Sequence, residues 1–469
     1  MELNEYTRLD ATALRELIAR GEVSAAEVET VAREAIARAN TVVNGLAQPV
    51  FEDALVHAAD GPFGGVPFLL KDGPMAEGIE FSLGSRCLNG IRAQHDSDLM
   101  GRFRAAGLAA LGVTTMPELG LSFATEPVRY GLARNPWDLD RGAGGSSGGA
   151  AALVAAGAVP MAHANDSAGS IRIPASCCGL VGLKPSRGRT PPGPDSGDPA
   201  FGALAEFVLT RSVRDAQRLL PIVAGPGVGD KYTAPPLRTY AEKLDANERP
   251  LQPIAISTRS WSGAAIDPEV VAATEHAARL VEEWGYHVVA AQPELDWDDV
   301  VQAGVAEAVA IAAPLLNAPR RPAPEQLEAV SRQILDEADA LSAMDLMRLL
   351  DAQNRVSRKV GAFFTDYEVL ITPTLAQLPP RHGVLSSDQR GYTMESWLRM
   401  LFDVGPFTVP FNLGGQPAIS LPLGMSESGL PIGVQLVAGY GREDLLLRLA
   451  ARFERELPWA DRIPPHAIG

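Results

Sequence analysis

Three residues of this chain join reactive chemistry to unusual surroundings: Lys71, Ser146 and Ser170. Ser146 lies in the stretch Gly142-Ala143-Gly144-Gly145-Ser146-Ser147-Gly148-Gly149, which an Ala-rich helix pattern follows. Glycines there permit close backbone approach and unusual dihedrals around two serines. Ser170 comes twenty-four residues later, in Asn165-Asp166-Ser167-Ala168-Gly169-Ser170-Ile171-Arg172-Ile173-Pro174-Ala175. Small residues before a serine can turn their backbone N–H groups into a pocket as an oxyanion hole. The chemistry this suggests is acyl transfer through a serine.

A serine is a weak nucleophile and needs a base. Lys71 ends the apolar run Val66 to Leu70, where desolvation lowers a lysine's pKa and favours the neutral amine. Arginine cannot do this, because it stays protonated. Only five lysines (Lys71, Lys184, Lys231, Lys243 and Lys359) stand among 41 basic residues, so one placed beside an apolar run is conspicuous. Taken alone, a strand-end lysine is more often a surface residue or an ion-pair partner. Lys184, in a turn before Pro185, is a weaker rival. His163 falls on an alternating strand pattern and reads as a core or rim histidine.

Other chemistries fit poorly. The Gly-rich stretch lacks GxxxxGK[ST], and it matches GxGxxG only loosely, without an acidic residue after a second strand. G-x-S-x-G is absent around Ser170, which disfavours an α/β-hydrolase elbow. Seven scattered histidines include no HExxH pair, and three cysteines (Cys87, Cys177, Cys178) include no CxxC spacing, so neither a metal nor another cofactor is expected. A cysteine-dependent C–N hydrolase using Cys177 or Cys178 is an alternative, although buried small thiols are the commoner case.

The elements that must position these residues read as α/β. The N-terminal 40 residues form two amphipathic helices, the first with Leu14, Leu17 and Ile18 on one face. The second opens with the capping box Ser24-x-x-Glu27 and turns Val28, Val31, Ala35 and Ile36 inward. Asp267 and Pro268 begin a helix that Gly285 ends, with Ala273, Ala277, Leu280, Val281 and Trp284 on its inner face. Pro185 to Pro199 is a loop and Ala323 to Phe364 is mostly helical. Val66 to Leu70, Val369 to Ile371, Ala418 to Leu421 and Val434 to Val437 are strands, and the last helix buries Leu446, Leu449, Ala450 and Phe453. No linker interrupts the alternation of strands and helices, so 1–469 reads as a single domain. Its parts are N-terminal helices (1–60), a catalytic core (61–225), a variable substrate-shaping region (226–400) and C-terminal strands and helix (401–469).

Composition narrows the class of partner. With 46% hydrophobic and 21% charged residues, 469 residues can bury a sizeable core. A net charge of −16 with no basic patch argues against nucleic acid and anionic membrane surfaces. The most apolar segment, Ala150 to Ala162, is too short to span a bilayer and contains Pro160. The acidic, polar start MELNEYTRLD is no secretory leader, and sparse cysteines fit a reducing cytoplasm.

Taken together, GGSSGG, D-x-x-G-S-I-R-x-P-A, G-L-V-G-L-K-P-S-x-G-R and the upstream F-L-L-K-D resemble the amidase signature family. Thr372-Pro373-Thr374, NLGGQPAISLPLG (412–424) and PIGVQLV (431–437) extend the resemblance over roughly residues 8 to 458. HxND-x-x-GS, TEP with RNPW, FTVPFN and GREDLLL are similar to the branch that holds 6-aminohexanoate-cyclic-dimer hydrolases and related actinobacterial amidases. The resemblance implies an α/β/α sandwich around a large mixed sheet. It implies Ser170 as nucleophile, Ser146 as bridging serine after a cis Gly145–Ser146 peptide, Lys71 as base, and Ser167, Ala168 and Gly169 at the oxyanion hole. The partner implied is a small-molecule amide, with a small or apolar acyl group or a 6-aminohexanoate-type chain, and a homodimer is compatible with it. An amidotransferase A-like subunit acting in a complex is a second alternative. Gly120, Leu121, Ser122 and the stretch 297–400 are expected to build the substrate pocket, and they offer no obvious counter-ion for a charged acyl group. One departure is Ala168, which replaces a glycine of the usual motif and restricts φ there.

Overall fold

The computed structural model describes residues 1–237 and 252–469, so Lys243 and part of the 226–400 region lie outside the description. Among the described residues, ten strands form one mixed sheet flanked by helices. From one edge the order is Leu108–Thr114, Val66–Lys71, Met161–Asp166, Ala205–Thr210, Val181–Lys184, Ala418–Met425, Pro431–Ala438, Val369–Pro373, Ile254–Ile256 and Val288–Ala290. The first three are mutually parallel, the strands from Met161–Asp166 to Val369–Pro373 pair antiparallel, and the last two pairings are parallel again. Helices on both faces explain why Val66–Lys71 is buried at every position, its lysine included.

Local signals place most elements. Helix Ala25–Val43 opens on the Ser24–Glu27 capping box and buries Val28, Ala32, Ala35, Ile36, Ala39 and Val43, while Val31 sits half-buried at the stripe's edge. Asp267 caps Pro268–Glu283 through its Oδ1, which accepts from the Glu269 N–H at 2.8 Å. The inner face there is Val270, Thr274, Ala277, Ala278 and Val281, and Ala273, Leu280 and Trp284 are only half-buried. The stretch from Ala323 resolves into a short 3-10 turn and two helices, Ala329–Ala340 and Ala343–Phe363.

One element departs from expectation. Helix Trp297–Leu316 is longer than the Ala150–Ala162 run and apolar enough, by length and composition, to cross a membrane. It packs instead against Ala329–Ala340, Ala343–Phe363 and Met394–Val404, which bury its apolar positions.

Candidate active site

Lys71 ends its strand pointing at the Gly-rich loop. Its Nζ lies 2.7 Å from Ser146 Oγ, 2.9 Å from Ser147 Oγ and 2.5 Å from Asn165 Oδ1. The residue is 1% exposed, and burial lowers its pKa to about 7 against the opposing pull of Glu206, Asp166 and Asp72. The neutral amine is therefore well populated near neutrality. The Gly145–Ser146 peptide is cis. Glycine is needed at 145 because the loop packs directly on the backbone of Ser122 and Phe123, where a Cβ would lie 2.7 Å from Ser122 O.

The rival bases are elsewhere engaged. His163 is buried, and burial with the nearby Lys71 charge pushes its pKa down to about 3. Its Nδ1 accepts from the Lys71 backbone N–H at 3.3 Å, and its ring packs edge-on against Phe103. Lys184 donates to the Pro185 carbonyl at 3.0 Å, on a strand separated from Met161–Asp166 by Ala205–Thr210. Cys177 and Cys178 end helix Arg172–Cys178, fully inside the core. Burial raises the Cys177 thiol to about 12 and the Cys178 thiol well above its usual value, so neither presents a thiolate.

Ser170 lies near the end of the turn between strand Met161–Asp166 and helix Arg172–Cys178. The backbone N–H groups of Ile171 and Arg172 donate to Asp166 Oδ2, at 3.1 and 3.3 Å. Those of Ser167, Ala168, Gly169 and Ser170 meet no acceptor among the described residues, the condition an oxyanion hole requires. Gly169 takes φ +140°, and a Cβ there would strike Thr408 Oγ1 at 2.6 Å and Ile173 Cδ1 at 2.7 Å. Ala168 is not among the residues with positive φ, so its methyl group fits the turn without strain.

Motifs far apart in the chain converge to hold this turn. Arg172 and Asp166 are both fully buried and pair through two contacts, Nε to Oδ2 at 2.9 Å and Nη2 to Oδ1 at 2.8 Å. Arg172 also donates to Thr408 O, Gln435 Oε1 and Asn412 Oδ1. Asn412 returns bonds to Asp166 O and Oδ1, and the Thr408 hydroxyl donates to Ala168 O at 2.6 Å. Burial opposes ionisation of Asp166, but the Arg172 guanidinium holds its carboxyl well below the usual range.

A cavity gathers Ser167, Ala168 and Ser170 with Gly120, Leu121 and Ser122. Gly120 also borders the relay, since a Cβ there would lie 3.6 Å from Ser146 Oγ. The Ser122 hydroxyl is committed to Leu385 O at 2.7 Å, and Trp397 Nε1 donates to Leu121 O at 2.8 Å, so the 297–400 region clasps this wall. The expectation of a pocket without a counter-ion is corrected. Glu307, on helix Trp297–Leu316, lines the cavity beside Gly304, Ala308 and Ile311. Sequence reading missed it because an apolar stretch in mid-helix gives the one acidic residue beyond its first turn no address. It missed Asn165 as well, although the position next to Asp166 on an alternating strand was the signal available.

A family model for amidases matches residues 26–447. The 6-aminohexanoate-cyclic-dimer hydrolase of Paenarthrobacter ureafaciens is 39% identical over 476 residues, covering 97% of this chain and 96% of that protein. The same-named enzyme of a Pseudomonas species (strain NK87) is 40% identical, at 97% and 96% coverage. A solved structure of 6-aminohexanoate cyclic dimer hydrolase complexed with substrate superposes with a TM-score of 0.91 at 39% identity, covering 98% of this chain and all of that one.

Proposed function

Since the chain belongs to the amidase signature family and hydrolyses an amide C–N bond, we propose that Ser170 is its nucleophile, Ser146 the proton bridge and Lys71 the base. Neutral Lys71 accepts the Ser146 proton while Ser146 takes the proton of Ser170. The Ser170 alkoxide attacks the amide carbonyl, and the N–H groups of residues 167 to 170 hold the resulting oxyanion. Collapse breaks the C–N bond, and the proton held by the relay returns through Ser146 to the leaving amine. Water then adds to the acyl-enzyme, losing its proton to the same relay, and the acid departs as Ser170 is reprotonated.

The observation that carries this reading is the 2.7 Å contact between Ser146 Oγ and a lysine whose burial leaves it partly neutral at pH 7. The substrate class is a small-molecule amide with a largely apolar acyl chain. The 6-aminohexanoate-type amides named for the relatives fit the apolar walls formed by Leu121, Phe123, Ile311, Leu398 and Phe402. Incubation with a fluorophosphonate followed by peptide mapping tests the assignment. Label on Ser170 is expected, and label on a cysteine or on another serine overturns it.

A further inference from the structure

Glu307 presents a problem that the amide chemistry does not solve. The residue is 5% exposed, in a cavity whose other walls are mostly hydrocarbon. The Ser167 hydroxyl lies beside its carboxyl and favours the ionised form. The second oxygen, Oε2, is buried without a partner among the described residues. Leaving a buried carboxyl oxygen unpaired is destabilising, and a leucine or methionine would fill an apolar wall at less cost. Burial accordingly pushes the carboxyl up to about 7.

We propose that Glu307 is the specificity-determining residue of this pocket, its Oε2 accepting a hydrogen bond from a second nitrogen of the substrate. Preferred substrates are then amides that carry an amine or a further amide N–H away from the scissile bond, in place of plain alkyl amides. The inference rests on the reading of this cavity as the amide-hydrolysing site. The geometry favours one N–H donor and no more. The Ser167 hydroxyl lies beside the carboxyl, the Ser122 hydroxyl is taken by Leu385, and Ala308, Ile311 and Phe402 on the same cavity wall are apolar. A site built around such an acceptor rejects an analogue lacking the donor, because the acceptor is then left unpaired.

The test is kcat/KM for ammonia release at pH 8 from three amides of matched chain. These are 6-aminohexanamide, its N-acetyl derivative, and heptanamide, which has a methyl group in place of the amine. Wild type should prefer at least one nitrogen-bearing amide over heptanamide by about tenfold, a ratio in line with one hydrogen bond to a charged group. E307L should lose that ratio. E307Q, nearly the same shape, should keep it for the neutral N-acetyl substrate and lose it for the ammonium one, which separates the two sources of the N–H. The proposal is overturned if wild type shows no preference, or if E307L keeps the ratio. It is also overturned if E307L and S167A lower all three rates alike, since Glu307 would then only brace Ser167. Ser170 labelling by a fluorophosphonate without ammonia from either nitrogen-bearing amide likewise overturns it. Absence of both label and ammonia overturns instead the hydrolase assignment beneath it.

Discussion

Asn165 Oδ1 stands 2.5 Å from Lys71 Nζ, and the same residue sits opposite Glu206 across the sheet, where its side chain favours the ionised carboxyl. A neutral amide thus neighbours both the lysine and the carboxyl that pulls most on its charge. Burial raises Glu206 to about 7, so this carboxyl also avoids full ionisation near neutrality. The arrangement keeps an acceptor on the ammonium without fixing its charge, which a directly paired carboxylate would do.

Asn165→Asp should therefore disarm the base while preserving shape. A carboxylate in contact favours the ammonium, so the Lys71 pKa rises from about 7 and the neutral amine appears only at higher pH. The acid limb of kcat/KM should move up by one pH unit or more, with recovery above pH 9. A pH–rate profile with an unmoved limb would contradict this account of Asn165.

Lys71→Arg separates proton transfer from charge. Arginine keeps the cation and nearly the length but accepts no proton at workable pH. Its activity should match that of Lys71→Ala, at least about a hundredfold below wild type, the lower end of what a positioned general base contributes. Substantial turnover by Lys71→Arg at pH 8 would show the lysine to be structural.

Ser170→Ala should lose turnover and fluorophosphonate labelling together, with a thermal midpoint close to wild type, because one small hydroxyl leaves a cavity wall. Ser146→Ala should lose less, since a water can stand in for a relaying hydroxyl. A Ser170→Ala protein retaining more than a few per cent of activity would exclude the assignment.

Much of this was legible in the sequence where local chemistry is decisive. The Ser24–Glu27 capping box, the apolar strand that ends at Lys71 and the two serine-bearing loops each declare themselves within a dozen residues. What the sequence concealed depends on distant partners. Whether Ala168 tolerates its turn hinges on a backbone angle that no single residue type fixes. Glu307 gains meaning only when its helix crosses the cavity, and Asn165 only when the sheet sets it beside Lys71 and Glu206. The role of Asn412 and Gln435 was hidden likewise, since both meet Arg172 across more than 200 residues of chain.

The oxyanion turn predicts an asymmetry between neighbouring residues. Gly169→Ala forces an alanine to φ +140° and drives its methyl group into Thr408 and Ile173. About 1–3 kcal/mol of strain, relieved by shifting the turn, should remove activity and lower the melting temperature. Ala168→Gly meets no such constraint and should lose about 0.4–1 kcal/mol through the more flexible unfolded chain, with activity kept. Calorimetry and kinetics on the pair check this, and equal damage from both would contradict it.

Arg172 and Asp166 provide the last test, because their pairing has a pH signature. Arg172→Met leaves the Asp166 carboxylate buried without its counter-charge, a change expected to cost about 3–5 kcal/mol at pH 7. In the wild type, Arg172 and the bonds beside it depress the Asp166 pKa against the effect of burial. The stability this contributes is present above the unfolded value near 4 and is lost only as pH falls through the folded value. In the variant burial dominates, the folded pKa rises above the unfolded one, and the destabilisation is relieved as the carboxyl protonates. The gap in unfolding free energy between the two proteins should therefore narrow steadily from pH 7 to pH 4. Denaturant melts across that range measure it. A gap constant with pH would mean that Arg172 holds the turn by shape and neutral hydrogen bonds, with no contribution from its charge.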